Sequence, residues 1–435
     1  MSQTVLRGRI LTFTDAPRSA EDTDCVRYIV DGAIVIENGQ IIAAGEYTEV
    51  GWSAPATSTV IDHRPHLITP GFIDPHIHFS QMQVIGSFGV QLLDWLNTYT
   101  FVEEQKFGDP EHASRIASLF FDEMIRHGTT TAAAYCTVHA ASADAFFTEA
   151  KRRNMLMIGG KVMMDREAPR ALTDTAQSGY DETRRLIRKW HGRGRALYAI
   201  TPRFAITSTP EQLEAAGALA EEFPGCYVQT HLSENHDEIA FTQSLYPEAP
   251  DYTGVYEQFG LLGPRTLLGH CIHLSEREIE ALAYTGSVAV FCPTSNLFLG
   301  SGLFDWQRLA EGGVRIAVAT DVGGGTSYSM LRTFDEAYKV LQLNGQTLTP
   351  LLSFYMMTLG NARALSLSDR IGSIEPGQDA DLVVLDAGAT PAGALRMETV
   401  TSLSEELFVL QTMGDDRSIV ETYVAGVGLK SRLAY

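Results

Sequence analysis

Long apolar runs are missing from this chain of 435 residues. No stretch is long and hydrophobic enough to cross a membrane, and Met1-Ser-Gln-Thr-Val-Leu-Arg-Gly-Arg-Ile10 carries no apolar signal segment, so a membrane role is not expected. Basic runs are missing too. A formal net charge of -20 repels a phosphate backbone, which argues against nucleic acid as a partner and for small neutral or basic molecules. Cysteine is scarce: Cys25, Cys136, Cys226, Cys271 and Cys292 are odd in number, widely spaced and never paired as Cys-x-x-Cys. That usage fits reduced core thiols in a cytoplasmic protein. Low-complexity segments and repeats beyond a strand-helix alternation are also lacking. What remains, 45% hydrophobic and 20% charged residues, is globular and long enough for one large domain plus a smaller one.

The first seventy residues have a β pattern. Ala33-Ile-Val-Ile36 and Ile41-Ile-Ala-Ala44 flank Glu37-Asn-Gly-Gln40, whose Asn-Gly centre predicts a tight hairpin. The pattern returns late, in Ala380-Asp-Leu-Val-Val-Leu385 and Ile419-Val-Glu-Thr-Tyr-Val424. Between these ends, short apolar runs alternate with helical patterns, with strands expected to begin near Phe72, Thr130, Leu156, Leu197, Cys226, Thr266, Val288 and Ile316. Eight such units close a barrel. Asp109-Pro110 predicts a helix start, with the helix ending near Gly128, and Ser275-Glu-Arg-Glu278 a capping box. The expected architecture is α/β: a (β/α)8 TIM-like barrel over 70–370, with a small flanking β-sandwich domain built from both termini, 1–69 plus 371–435.

Pro70-Gly-Phe-Ile-Asp-Pro-His-Ile-His-Phe-Ser-Gln81 ends the first barrel strand. Alternate residues of a strand share a face, so His76 and His78 project together while Ile77 packs behind them. Alone, His-x-His is a weak metal signal that often marks a surface strand or a satisfied core pair. The positions of His231, His270 and Asp321 change this. They end the apolar runs of the fifth, sixth and eighth strands, so a barrel brings all of them to one mouth. A single buried histidine is usually a core residue and a post-strand aspartate usually a cap or turn former, but four such coincidences on one face point to a site.

This ordered set resembles the amidohydrolase superfamily. The resemblance narrows to its guanine deaminases and covers nearly the whole chain. It rests on Leu93-Asp-Trp-Leu-Asn-Thr-Tyr-Thr-Phe101, Thr201-Pro-Arg-Phe204, His231-Leu-Ser-Glu-Asn-His-Asp-Glu238, Cys292-Pro-Thr-Ser-Asn-Leu297 and Thr320-Asp-Val-Gly-Gly-Gly-Thr-Ser-Tyr-Ser-Met-Leu331. Departures are small: Val102 stands where the family often has proline, and Gly324 and Thr326 fall in a variable stretch.

The resemblance implies that His76, His78, His231 and Asp321 hold one Zn2+ per subunit, with an open position for water. Iron or manganese would suit similar ligands. It further implies that Glu234 protonates a ring nitrogen, that Asp321 takes the proton of the attacking water and helps pass it to the leaving amine, and that His270 orients the nucleophile or the tetrahedral intermediate. For substrate, Arg203 would donate to the guanine carbonyl, Gln81 would bond the ring edge, and Phe204 would pack on the ring. Trp95 belongs to an aromatic segment with Tyr99 and Phe101 whose near-helical spacing suits packing, and which the family places at the pocket wall. Lys161, at the end of the third strand, invites a carbamylated bridge between two metals. The bridging lysine of relatives follows the fourth strand, where this chain has Arg203, so one metal is expected. Other aminated azines, such as 8-oxoguanine, a pterin or a triazine, are alternative substrates, and a non-catalytic binding protein is a further alternative. A homodimer is suggested by resemblance alone.

Overall fold

The computed structural model describes residues 3–51, 54–55, 57–89 and 91–433. The N-terminal strands are β1 (Thr4–Phe13), β2 (Val26–Glu37), β3 (Gln40–Glu46) and β4 (Thr59–Pro70). After them come β5 (Phe72–His78), β6 (Thr129–Tyr135), β7 (Leu156–Gly160), the short β8 (Val162–Met163), β9 (Ala196–Pro202), β10 (Tyr227–Leu232), β11 (Thr266–His270), β12 (Val288–Phe291) and β13 (Arg315–Val318). The chain finishes with β14 (Leu382–Leu385), β15 (Ile419–Val424) and β16 (Val427–Gly428).

Both termini build one seven-stranded mixed sheet in the order β16-β15-β14-β4-β1-β2-β3. The predicted hairpin joins β2 to β3: Asn38 and Gly39 take φ of 53° and 82°, the left-handed pair that a two-residue turn of this hand requires. Leu6, Ile10, Ile34, Ile36, Ile41, Ile68, Leu382 and Val384 form one buried cluster on this sheet. The sheet curls around that cluster. Its β3 edge bonds the segment before β14, Ile41 N–H to Gln378 O at 2.9 Å, and Gly39 lies against Ala425 beyond β15 at the opposite edge. A second face meets the barrel. There Gly128 leaves room for Val383 and Ile419, since a Cβ on it would stand 2.9 Å from the Val383 side chain.

The barrel strands β5, β6, β7, β9, β10, β11, β12 and β13 are parallel neighbours in that order. Strands covered on both faces need continuous apolar or small residues, and β5, β6, β7, β11 and β12 are buried at every position. The helix Pro110–Arg126 starts where Asp109 accepts from Glu111 N–H at 3.0 Å. It buries Ala113, Ile116, Ala117, Phe120, Phe121 and Met124, a three-to-four spacing that places one apolar face on the barrel. Truncating Phe120 there would cost about 3–5 kcal/mol. The capping box at Ser275 and Glu278 is formed.

Closure between β13 and β5 uses side chains and strand ends in place of a regular ladder. Asn361 Nδ2 donates to the carbonyls of Ile73 and Val318, both at 2.9 Å, and its Oδ1 accepts from Val318 N–H at 3.1 Å. Above it, Asp321 N–H donates to His76 O at 2.9 Å and His78 N–H donates to Val322 O at 2.7 Å. The seam thus brings the ends of the first and last barrel strands together.

Candidate active site

Each candidate side chain sits at a strand end because the apolar run stops there. On β5, His76 and His78 point to the same face, both fully buried. Ser233, His270, Cys271 and Asp321 follow or end β10, β11 and β13 with φ of 49°, 73°, 54° and 50°. Left-handed backbone in residues other than glycine costs about 1–3 kcal/mol each and collects where function dictates side-chain direction. Here it turns each chain abruptly across the barrel mouth.

The side chains converge. Asp321 Oδ1 lies 3.3 Å from His76 Nε2 and 3.4 Å from His78 Nε2, and His231 Nε2 lies 3.3 Å from His78 Nε2. His231 Nδ1 donates to the Arg203 carbonyl at 2.7 Å, which fixes the tautomer and leaves the Nε2 lone pair facing inward. Burial pushes the His78 imidazole down to about 4 and His231 well below its ordinary range, so both are neutral. Burial opposes ionisation of Asp321, but the surrounding imidazoles outweigh it and hold the carboxyl well below the usual carboxylate range. Both ring nitrogens of His76 and Nδ1 of His78 are buried without a hydrogen-bond partner. Neutral imidazoles with free lone pairs beside a carboxylate fit a divalent transition metal. Cys292 also lies within reach of His76, His270 and Asp321, but burial and the Asp321 charge keep its thiol protonated.

A narrow cavity opens beside this cluster. Leu92, Trp95, Leu96, Phe204 and Leu299 make its apolar walls, and Gln81, Arg203, Glu234, His270 and Asp321 supply its polar edge. Burial and the charge of Asp321 push the Glu234 carboxyl up to about 8, against the pull of the Ser301 hydroxyl that donates to it at 3.0 Å. Its Oε2 lies 3.3 Å from His270 Nε2, whose Nδ1 donates to Asn296 Oδ1 at 2.9 Å. A protonated Glu234 is therefore aimed into the cavity beside His270, whose Nδ1 is engaged by Asn296 and whose Nε2 faces the carboxyl.

This chain belongs to the amidohydrolase family. The family model matches residues 67–428. Guanine deaminase of Escherichia coli K12 is 48% identical over 419 residues, covering 95% of each chain. The solved guanine deaminase from Bradyrhizobium japonicum superposes with a TM-score of 0.95 at 38% identity, covering 99% of each chain. A structure of guanine deaminase from C. acetobutylicum with bound guanine in the active site gives 0.89 at 30% identity, covering 98% of this chain and 100% of that one.

Within this amidohydrolase barrel, every residue singled out from the sequence for metal, acid-base or substrate contact is either on the cavity wall or, for His76, directly behind it. Lys161 is elsewhere. Its Nζ donates to Asp174 at 2.5 Å and to Val162 O at 3.2 Å, and Asp174 also accepts from Gln212 at 2.6 Å, so the amine serves a buried ionic network away from the cavity. Three residues without an expected role enter the site: Asn296 and Ser301, and the fully buried Glu104. Glu104 Oε1 accepts from Gln81 Nε2 at 3.1 Å and from Ser80 Oγ at 3.2 Å, and its Oε2 accepts from Arg203 Nη1 at 2.6 Å. Asn296 lies inside the quoted Cys292–Leu297 motif, a signal that was available; Glu104 follows the motif ending at Phe101.

Proposed function

We propose that this chain hydrolytically deaminates guanine to xanthine and ammonia. The observation that carries the reading is one apolar-walled cavity lined by Arg203, Gln81 and a proton-bearing Glu234 together with His78, His231 and Asp321, with His76 in contact with that cluster. The guanine deaminases that match nearly the whole chain support it. The division into a barrel over 70–370 and a flanking unit of 1–69 plus 371–435 belongs to the same reading, with the barrel carrying all the chemistry.

His76, His78, His231 and Asp321 would hold one Zn2+, which supplies Lewis acidity that brings the pKa of a water toward neutrality. Arg203 donates to the carbonyl oxygen of guanine, Gln81 bonds the adjacent ring edge, and Phe204 and Trp95 close on the faces of the flat ring. Glu234 gives its proton to the ring nitrogen next to the carbon that bears the amine. The water oxygen bonds to that carbon while Asp321 accepts the water proton. His270, held by Asn296, orients the oxygen. Asp321 then delivers its proton to the exocyclic nitrogen, the carbon-nitrogen bond breaks and ammonia leaves, while the hydroxyl proton of the adduct returns to Glu234 as the new carbonyl forms.

The five cysteines are all free and buried, which supports work in a reducing cytoplasm, and among the described residues no helix is long and apolar enough to cross a membrane. The proposal includes a homodimer acting in purine breakdown. The test is ammonia release from zinc-loaded protein given guanine, 8-oxoguanine, adenine, cytosine, a pterin and a triazine separately. Guanine should dominate. Turnover of another azine with guanine inert would overturn the substrate while leaving the chemistry in place.

A further inference from the structure

Glu104 is a carboxylate with no solvent exposure, 99 residues from Arg203 in sequence, and it touches none of the reacting groups. Besides Ser80, its partners are Gln81 and Arg203, the two residues assigned to the substrate edge. A carboxylate can only accept hydrogen bonds, and the backbone N–H of Gly323 can only donate. Gln81 lies between them. Its Nε2 donates to Glu104 at 3.1 Å and its Oε1 accepts from Gly323 N–H at 3.1 Å, so the amide has one allowed orientation. Arg203 is fixed from the same carboxylate and lies over the Phe101 ring at 5.3 Å. One buried anion thus sets both the orientation of an amide and the direction of a guanidinium.

Resting on the reading of this cavity as a guanine site, we propose that Glu104 is the positioning residue that determines specificity for an azine carrying a carbonyl beside a ring N–H. With Glu104 in place, the remaining Arg203 donors point to an acceptor, and the Gln81 amide offers its second N–H and a free carbonyl lone pair in a fixed order. An azine with an amine where guanine has its carbonyl turns donors toward the Arg203 donors and is rejected. Glu104 also neutralises the Arg203 charge, so the recognition edge suits an uncharged ring.

The test compares wild type, Glu104→Gln and Glu104→Asp, each zinc-loaded, on guanine and 2,6-diaminopurine. Glutamine is isosteric but places a donor or a neutral oxygen before both partners. We expect Glu104→Gln to raise KM for guanine about 10- to 100-fold with a smaller change in kcat, and to shrink the preference for guanine over 2,6-diaminopurine at least about tenfold. Zinc content should stay at the wild-type level, and Glu104→Asp should restore part of the preference. Unchanged KM and preference in Glu104→Gln would overturn the proposal. Should Glu104→Gln not fold, Glu104→Asp decides: a raised KM at full zinc content supports it and a wild-type KM overturns it. Wild-type protein inert toward guanine would instead defeat the substrate reading, a different result from guanine turnover that ignores residue 104.

Discussion

The backbone N–H of Asp321 donates to the carbonyl of His76 at 2.9 Å, and Oδ1 of the same aspartate stands 3.3 Å from Nε2 of the same histidine. Barrel closure and assembly of the polar cluster are one event. Asp74 strengthens the seam by accepting from both the N–H and the hydroxyl of Thr320, the residue before Asp321.

Asp321→Asn keeps the shape of the seam and removes the charge that accepts a proton. Turnover of zinc-loaded variant should fall about 1000-fold or more, with little change in thermal stability. Ammonia release under saturating guanine measures this, and full turnover would contradict the role given to Asp321.

Gly269 lies against His76, and a Cβ added to it would stand 2.6 Å from the ring carbon Cε1. Gly269→Ala should therefore push the imidazole out of line and weaken zinc binding about 10- to 100-fold, the effect of disturbing a ligand's support. Competition against a chromophoric chelator reads the affinity. Wild-type affinity in a folded variant would show that His76 is not held to the metal by this contact.

Arg203→Ala leaves Glu104 as an unpaired charge with no exposure. Breaking a buried pair from one side costs about 3–5 kcal/mol, visible as a lower urea midpoint. The double variant Arg203→Ala/Glu104→Gln should recover part of that loss, since no buried charge is left alone. A double variant no more stable than the single would show that the pair's charge balance is unimportant.

The pH dependence follows from Glu234, whose carboxyl burial raises from 4.5 to about 8. A raised carboxyl keeps its proton at pH 7 and loses it as pH rises through about 8, so kcat/KM should fall on the alkaline side as the proton donor is lost. A profile flat from neutrality well into the alkaline range would remove Glu234 as the acid.

The sequence was most informative where burial leaves few choices. Parallel strands covered on both faces are unbroken apolar runs, so a ligand-type residue ending one, as His231, His270 and Asp321 do, is conspicuous. Strand starts at Thr129 and Arg315 lie one residue from the expected Thr130 and Ile316. Glu104 was hidden for a physical reason. The expected near-helical spacing of Trp95, Tyr99 and Phe101 is interrupted by a π turn over Leu96–Thr100. Buried Leu92, Leu96, Thr100 and Glu104 therefore recur every four residues, wider than an α-helical period. That extra width turns Glu104 inward, leaves Tyr99 only half-buried, and leaves Val102 50% exposed, the reverse of what hydropathy suggests.

Hydrolysis at the amine-bearing carbon is the central claim, and zinc-loaded protein turning over guanine in 18O-labelled water tests it most directly by mass spectrometry of the product. The account predicts one ammonia per guanine consumed and xanthine carrying one oxygen atom from the solvent. Guanine left intact, or a product without solvent oxygen, would contradict it.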